Sequence, residues 1–266
     1  MLITSYDHAK VSDYLIKESP KKVCLIFYHG VGDVVMFTEV FNKLKTLFPD
    51  IQIDIVLQRG VGQEVLFPDA LLTTSPNEPI DGYDFTFQIH FHMCEHLNGL
   101  WTKAEFCCIE ELGIDPTSAF PKFPDNIKSP LVGINYQATA LPGTCNPSEE
   151  VAKKIWDEVV AAGMIPIEAF FQHTYYNPVN SQFAHVDRGV RNIPIGIDKL
   201  IQLLSCCYAN ISVSTANLHL SIALMPKRTL YLKKDYSIKC YTKEPISEID
   251  VNNYEDGSVK KWLTTL

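Results

Sequence analysis

The sequence has no long apolar run. Its hydrophobic stretches stop at about six residues, against the roughly 20 needed to cross a bilayer, so no helical membrane span is expected. It has no basic excess either: 23 Lys and Arg stand against 31 Asp and Glu, a formal net charge of −8. Unselective binding to a polyanion, which depends on neutralising phosphates, is therefore disfavoured. A disulfide framework is also missing. The eight cysteines, at 24, 94, 107, 108, 145, 206, 207 and 240, include two adjacent pairs and follow no regular spacing, and they read as reduced thiols. Met1 to Lys10 carries Asp7, His8 and Lys10 and no apolar stretch, so it does not read as a signal peptide and the expected compartment is the cytoplasm. The sixteen prolines are dispersed and form no polyproline tract. What is present is an ordinary globular composition: 266 residues, 46% hydrophobic and 20% charged, enough for one large domain or two modest ones. One local patch departs from the acidic balance. Lys227, Arg228, Lys233, Lys234, Lys239 and Lys243 fall close together and read as a solvated lysine-rich strand edge that discourages aggregation.

Val23 to Tyr28 is a continuous apolar run with β-branched and aromatic members, the pattern of a strand covered on both faces. Two glycines follow. From Val34, apolar residues recur at helical spacing through Met36, Phe37, Val40, Phe41, Leu44, Leu47 and Phe48, and Pro49-Asp50 ends the run. Ile51 to Leu57 and Tyr83 to Ile89 read as further strands, and Thr102 to Leu112 as a helix stopped by Gly113. The first twenty residues, with a helical pattern around Val11 to Ile16, look like an N-terminal extension. Between Asp115 and Pro130 four prolines mark a linker. A second alternation then begins: strand 131–135, helix 148–162, strand 165–171, helix 197–206, strand 211–214, helix 216–224 and strand 229–232, with a short helix near the end. Alternation on both sides of a proline-rich joint predicts two parallel-sheet α/β domains, 1–125 and 126–266.

Two segments carry chemistry. His29-Gly30-Val31-Gly32-Asp33 joins a strand to a helix, where α/β proteins bind ligands and where glycine lets the backbone approach closely. It has only G-x-G, with neither the third glycine of a dinucleotide fingerprint nor the lysine and hydroxyl of a P-loop. Asp33 reads as a general base for an acceptor hydroxyl, or as the N-cap of the helix. In Ser214-Thr215-Ala216-Asn217-Leu218-His219 a strand again gives way to a helix whose first amides suit a diphosphate. The hydroxyls of Ser214 and Thr215 and the ring of His219 supply further donors, or one hydroxyl caps the helix.

Tyr28 to Val35, with the following helix and Phe48-Pro49-Asp50-Ile51-Gln52-Ile53, resembles the N-terminal signature of the heptosyltransferase-like glycosyltransferases, family 9. Ser214 to His219, continuing to Leu224, resembles that family's donor-site signature, and Tyr83-Asp84-Phe85 its tyrosine-aspartate strand start. Gln137-Ala138-Thr139 resembles its phosphate-contacting segment, with Thr139 the best match. The resemblance implies a GT-B fold of two Rossmann-like domains facing a cleft. It also implies an inverting, metal-independent transfer from a nucleotide-diphosphate sugar as co-substrate, with no other cofactor, and Asp33 as base. Gly30, Gly32, Thr139, Ser214, Thr215, Ala216, Asn217 and His219 would then hold the donor, and His29, His90 and His92 would lie on the acceptor side. The chain departs from the family at Ser214 for aspartate, at Ala216 for glycine, and in having no lysine within Ala140 to Thr144.

The implied acceptor is a lipopolysaccharide or another surface glycan. The basic patch keeps open a phage-type enzyme acting on a hydroxymethylated DNA base. The departures at the donor motif keep open a catalytically silent nucleotide-sugar or glycan-binding protein, and an epimerase of similar fold is a further alternative. His90, His92, Cys94 and His96 alternate along one stretch and would share a face of a continuing strand. Tetrahedral metal ligands rarely come from one strand, and acceptor-side lining is the reading favoured over zinc. No local signature selects a cysteine–histidine nucleophile.

Overall fold

The computed structural model describes residues 1–4, 10–60, 62–75, 77–91, 101–117, 119, 121–124, 129–136, 138, 146–171, 193–234 and 238–266. The chain divides into two compact units, Met1–Pro121 with Lys239–Thr242, and Lys122–Ile238 with Lys243–Leu266.

In the first unit β1 (Leu2–Thr4), β2 (Lys22–Ile26), β3 (Gln52–Gln58), β4 (Leu71–Thr73) and β5 (Phe85–Gln88) form a sheet in the order β1-β5-β2-β3-β4. Every pairing is parallel. The composition of β2 follows from its central place: Val23 to Phe27 are all fully buried, leaving no face for a polar side chain. Helix α1 (Val11–Glu18) buries Val11 and Leu15, and its Tyr14 ring lies 5.8 Å from Phe85 and 5.6 Å from Phe87. The expected N-terminal extension is thus corrected. Its described residues build an edge strand and a packed helix, because β1 pairs with β5 and α1 shields that strand's aromatic side chains.

Helix α2 (Val31–Leu47) starts before the apolar periodicity does, so Gly32 and Asp33 lie in its first turn and not in a loop. Val31 is buried in that turn, but with Gly32 and Asp33 after it a single apolar side chain sets no recognisable period. Helix α3 (Lys103–Cys107) opens with a capping box: Thr102 Oγ1 accepts from the Glu105 amide at 3.2 Å, and the Thr102 amide donates to Glu105 Oε2 at 2.9 Å. A π-helical turn, Cys108–Leu112, continues it to Gly113 at φ +66°. A Cβ on Gly113 would stand 2.9 Å from Lys10 Cβ, so this stop needs glycine for space as well as conformation.

The second unit has β6 (Leu131–Asn135), β7 (Ile165–Phe171), β8 (Ile193–Ile195), β9 (Ala209–Ser212), β10 (Thr229–Lys233) and β11 (Ser247–Asp250), ordered β11-β10-β9-β6-β7-β8. Again every pairing is parallel. Between them come α4 (Glu149–Ala161), α5 (Ile197–Cys206) and α6 (Ala216–Leu224), and α7 (Ser258–Leu263) follows β11. Ala152, Ile155, Trp156 and Val159 of α4 share one core with Val132, Ile134, Ile211, Leu230 and Trp262. Glu158 of α4 serves α7, accepting from the amides of Gly257 at 2.7 Å, Val259 at 2.9 Å and Lys260 at 3.1 Å. It satisfies the open amides of a helix that has no acidic residue in its own first turn.

The lysine-rich segment is not a strand edge, because β10 lies between β9 and β11. Three of its basic groups are engaged locally. Lys233 Nζ meets Glu248 at 3.6 Å, Lys234 donates to the Asn146 carbonyl at 3.3 Å, and Arg228 stacks 4.8 Å from the Tyr208 ring centre.

Both sheets are doubly wound. From β2 the chain moves outward through β3 and β4, then returns to β5 on the other side of β2. From β6 it moves through β7 and β8, then returns to β9 and continues outward to β10 and β11. The winding therefore reverses between β2 and β5, and between β6 and β9. At such a reversal the connections leave toward opposite faces, and a crevice opens at the carboxyl ends of the two strands.

Candidate functional site

The two segments singled out in the sequence leave the two reversal points. His29 to Asp33 follows β2, and Ser214 to His219 follows β9.

In the first unit, the Nε2–H of His29 donates to the carbonyl of Ile89, just beyond β5, at 2.9 Å. The carbonyl of His29 accepts from Nε2 of the fully buried Gln63 at 2.7 Å. The turn is thus tied to the strands on both sides of β2. Gly30 is the N-cap of α2, at φ −63° and ψ 157°, with no side-chain cap bond. The N-cap reading of Asp33 is thereby corrected: it is the third residue of the helix, where a carboxylate still complements the dipole. Asp33 Oδ1 accepts from Lys103 Nζ at 2.5 Å, and that ammonium also lies 5.1 Å from the Phe91 ring centre. Beneath the pair, Phe27 stacks on Phe37 at 4.0 Å and meets Phe91 edge-on at 5.5 Å and the His29 ring at 4.5 Å.

Burial lowers the pKa of His29 from 6.5, against the opposing effects of the Ile89 carbonyl and Asp33, with Lys103 and His90 adding to the depression. The unfolded chain therefore binds a proton near pH 6.5 that the folded chain refuses until lower pH. The contribution of neutral His29 to stability is complete above pH 6.5 and is lost as pH falls from there toward the depressed value. The melting temperature of the wild type is expected to fall more steeply between pH 7 and 5 than that of His29→Gln; parallel curves would show that His29 does not carry this linkage.

His90 is half-buried and lies past the last residue of β5. The strand does not continue through it, so the expected one-sided alternation of His90, His92, Cys94 and His96 is not begun; the last three lie outside the described residues. Among the described residues no group of three or more His, Cys, Asp or Glu could hold a metal ion. Burial raises the thiols of Cys24 and Cys207 to about 12, that of Cys108 to about 11 and that of Cys107 well above its ordinary value. These four are protonated near neutrality and unsuited to nucleophilic attack. Tyr83-Asp84-Phe85 works at the opposite end of the sheet. Asp84 accepts from the amides of Lys21 at 2.8 Å and Lys22 at 3.0 Å, and these bonds hold its carboxyl below the usual range.

In the second unit β9 ends at Ser212, two residues before the expected boundary. Thr215 is the N-cap of α6, yet its side chain makes no cap bond; it approaches Ser212 Oγ at 3.3 Å and the Val213 carbonyl at 3.4 Å. The first turn of α6 carries no acidic residue. Ser214, Thr215 and Ala216 are half-buried, whereas Asn217 and His219 are buried at 3% and 5% exposure. The helix start and two hydroxyl side chains are therefore the accessible part of the motif. The segment after β6 emerges beside it: the Ala138 amide donates to Asn146 Oδ1 at 2.7 Å, while Thr139 lies outside the described residues.

Lys103 and Gln63 were not among the residues read as functional. A lysine at the first position of a helix opposes the dipole, and this was the available signal for Lys103. Nothing in the sequence marks Gln63.

Two parallel doubly wound sheets, each with a motif at its reversal point, have counterparts among solved structures. The fold is that of the heptosyltransferases. E. coli heptosyltransferase WaaC with ADP-2-deoxy-2-fluoro heptose superposes with a TM-score of 0.62 at 13% identity, over 92% of this chain and 99% of that one. The iron-containing dodecameric glycosyltransferase TibC from enterotoxigenic E. coli gives 0.60 at 13% identity, over 90% of this chain. This chain spans 64% of the length of TibC. A family 9 glycosyl transferase from Veillonella parvula gives 0.57 at 13% identity, over 92% and 95% of the two chains. At the level of sequence, no protein-family profile and no curated protein matches. No helix among the described residues is long and apolar enough to cross a membrane.

Proposed function

We propose that this chain transfers a sugar from a nucleoside-diphosphate sugar to an acceptor hydroxyl, with inversion at the anomeric carbon. The observation that carries the reading is the placement of both motifs at the reversal points of two sheets that together have a glycosyltransferase fold. The donor is held mainly by the second unit, with Gly30 and Gly32 of the first also assigned to it. The open amides at the start of α6 and the hydroxyls of Ser214 and Thr215 are donors suited to a diphosphate, and no carboxylate in that turn competes. Thr139, outside the described residues, is assigned to the donor from its place in the sequence shortly after β6. Asn217 and His219, buried in the first turns of α6, are assigned to the same donor site.

The first unit supplies the base. The acceptor hydroxyl gives its proton to Asp33 as its oxygen bonds to the anomeric carbon. The bond from that carbon to the diphosphate oxygen breaks, and its electron pair leaves with the nucleoside diphosphate. A single displacement of this kind inverts the centre. His29 and His90, at the carboxyl ends of β2 and β5, lie on the acceptor side, and the acceptor is a glycan. No step is assigned to a metal. Within the basic segment Arg228, Lys233 and Lys234 already engage groups of the second unit, which weakens its argument for a DNA acceptor.

A thermal-shift screen of ADP-, UDP- and GDP-sugars, followed by assay of nucleoside-diphosphate release, tests this reading. A donor at 100 times its Kd is expected to stabilise the fold by about 2.7 kcal/mol, and release should accelerate with a glycan acceptor. Stabilisation by no sugar nucleotide would refute it, and binding without turnover would identify a silent binding protein.

A further inference from the structure

Lys103 is a charged group that the transfer chemistry above leaves without a task. It opens α3, where the capping box of Thr102 and Glu105 fixes it at the first helical position. That end of a helix disfavours a cation. Its side chain is only 11% exposed, and its ionic partner is Asp33, seventy residues away in sequence. Desolvating a long cationic side chain at a helix N-terminus costs free energy that an ion pair does little more than return. An apolar residue over Phe91 would serve stability as well. What an apolar residue could not do is hold one carboxylate oxygen in place. Lys103 engages Oδ1, while Oδ2 lies on the side of Gly30, 3.9 Å from where a Gly30 Cβ would stand.

We propose that Lys103 is a positioning residue for the transfer step, fixing Asp33 through Oδ1 so that Oδ2 receives the acceptor proton. This rests on Asp33 being the base. Lys103 exchanges no proton: the hydroxyl proton passes to Oδ2, and the other bond changes are those described above. An aspartate carboxylate has two side-chain torsions to restrain, and loss of the restraint lowers the fraction of bound complexes poised for transfer without weakening donor binding.

The test is a double-mutant cycle of Asp33→Asn and Lys103→Met, with Lys103→Arg as the conservative variant. Release of nucleoside diphosphate is measured from ADP-D-β-D-heptose, UDP-glucose and GDP-mannose with water as acceptor, and melting curves establish that each variant is folded. Lys103→Met is expected to lower kcat by about tenfold or more at unchanged donor KM. Lys103→Arg should recover most of that loss, and Lys103→Met should have no further effect in the Asp33→Asn background. An equal fractional loss in both backgrounds, or no loss from Lys103→Met, overturns the positioning role while leaving Asp33 as base. Undiminished release by Asp33→Asn overturns the base and this proposal with it, as does release from none of the three sugar nucleotides. If Lys103→Met does not fold, Lys103→Gln takes its place in the cycle, with the same outcomes deciding.

Discussion

Replacing Asp33 with Asn is expected to lower the rate of sugar transfer by on the order of 10²–10⁴ while leaving the affinity for the sugar nucleotide nearly unchanged. The substitution preserves the size and shape of the side chain and its place in the first turn of α2, so the turn from His29 to Val31, held by Ile89 and Gln63, has no reason to move. What is removed is the capacity to accept a proton. The proposed donor contacts belong mainly to the other unit, and those of Gly30 and Gly32 need no side chain, so KM for the donor is the control. The variant also leaves the Lys103 ammonium without its carboxylate. Breaking a fully buried pair costs about 3–5 kcal/mol. Here the side chains are 11% and 23% exposed, so solvent screens the loss and a smaller decrease in stability is expected. Rates should be compared well below the melting temperature of the variant. Transfer at a near wild-type rate would assign Asp33 a purely structural role in the helix start.

Phe37→Ala is expected to destabilise the first unit by about 3–5 kcal/mol, the range for truncating a buried aromatic residue. Its ring is fully buried, stacks on Phe27 with an interplanar angle of 8°, and meets Phe91 edge-on at 6.3 Å. Phe37 follows Asp33 by one helical turn on the same face of α2. The Phe37 ring therefore anchors the helix end that carries Asp33 to β2, whose buried run continues through Phe27, and to the residue that lies under Lys103. Because the chain has two units, a single unfolding midpoint would mix their responses. Hydrogen exchange resolved by peptide separates them. Residues 22–47 should lose protection while α4 in the second unit, around Trp156, keeps it. Wild-type exchange over 22–47 would contradict the anchoring role.

The strands legible in the sequence were the central ones. β2, β3, β5, β6, β7, β9 and β10 each lie between two neighbours in their sheets, and burial from both sides writes itself into composition as an apolar run. The four strands that gave no such signal, β1, β4, β8 and β11, are the four sheet edges. Each is three or four residues long, and one partner on one side imposes too little burial to leave a pattern. The helices were legible for the complementary reason. α5 and α6 begin and end at Ile197–Cys206 and Ala216–Leu224 as the apolar spacing predicts, whereas the start of α2 was missed by the three residues of its first turn, where buried Val31 is followed by Gly32 and Asp33 and one apolar side chain sets no period.

The sequence by itself determined that strands and helices alternate, that the helices follow strands at Gly30 and at Thr215, and that an aspartate stands in the first of these turns. Those are local properties, set by burial and backbone chemistry over a few residues. Only the tertiary structure decided that β5 returns beside β2 and β9 beside β6, which makes each turn the edge of a crevice. It also decided that Lys103 reaches Asp33. Both depend on pairing between distant segments. Parallel neighbours are joined by long crossovers whose destination no short stretch specifies, and an ion pair spanning seventy residues exists only once the two strands that carry its helices lie side by side.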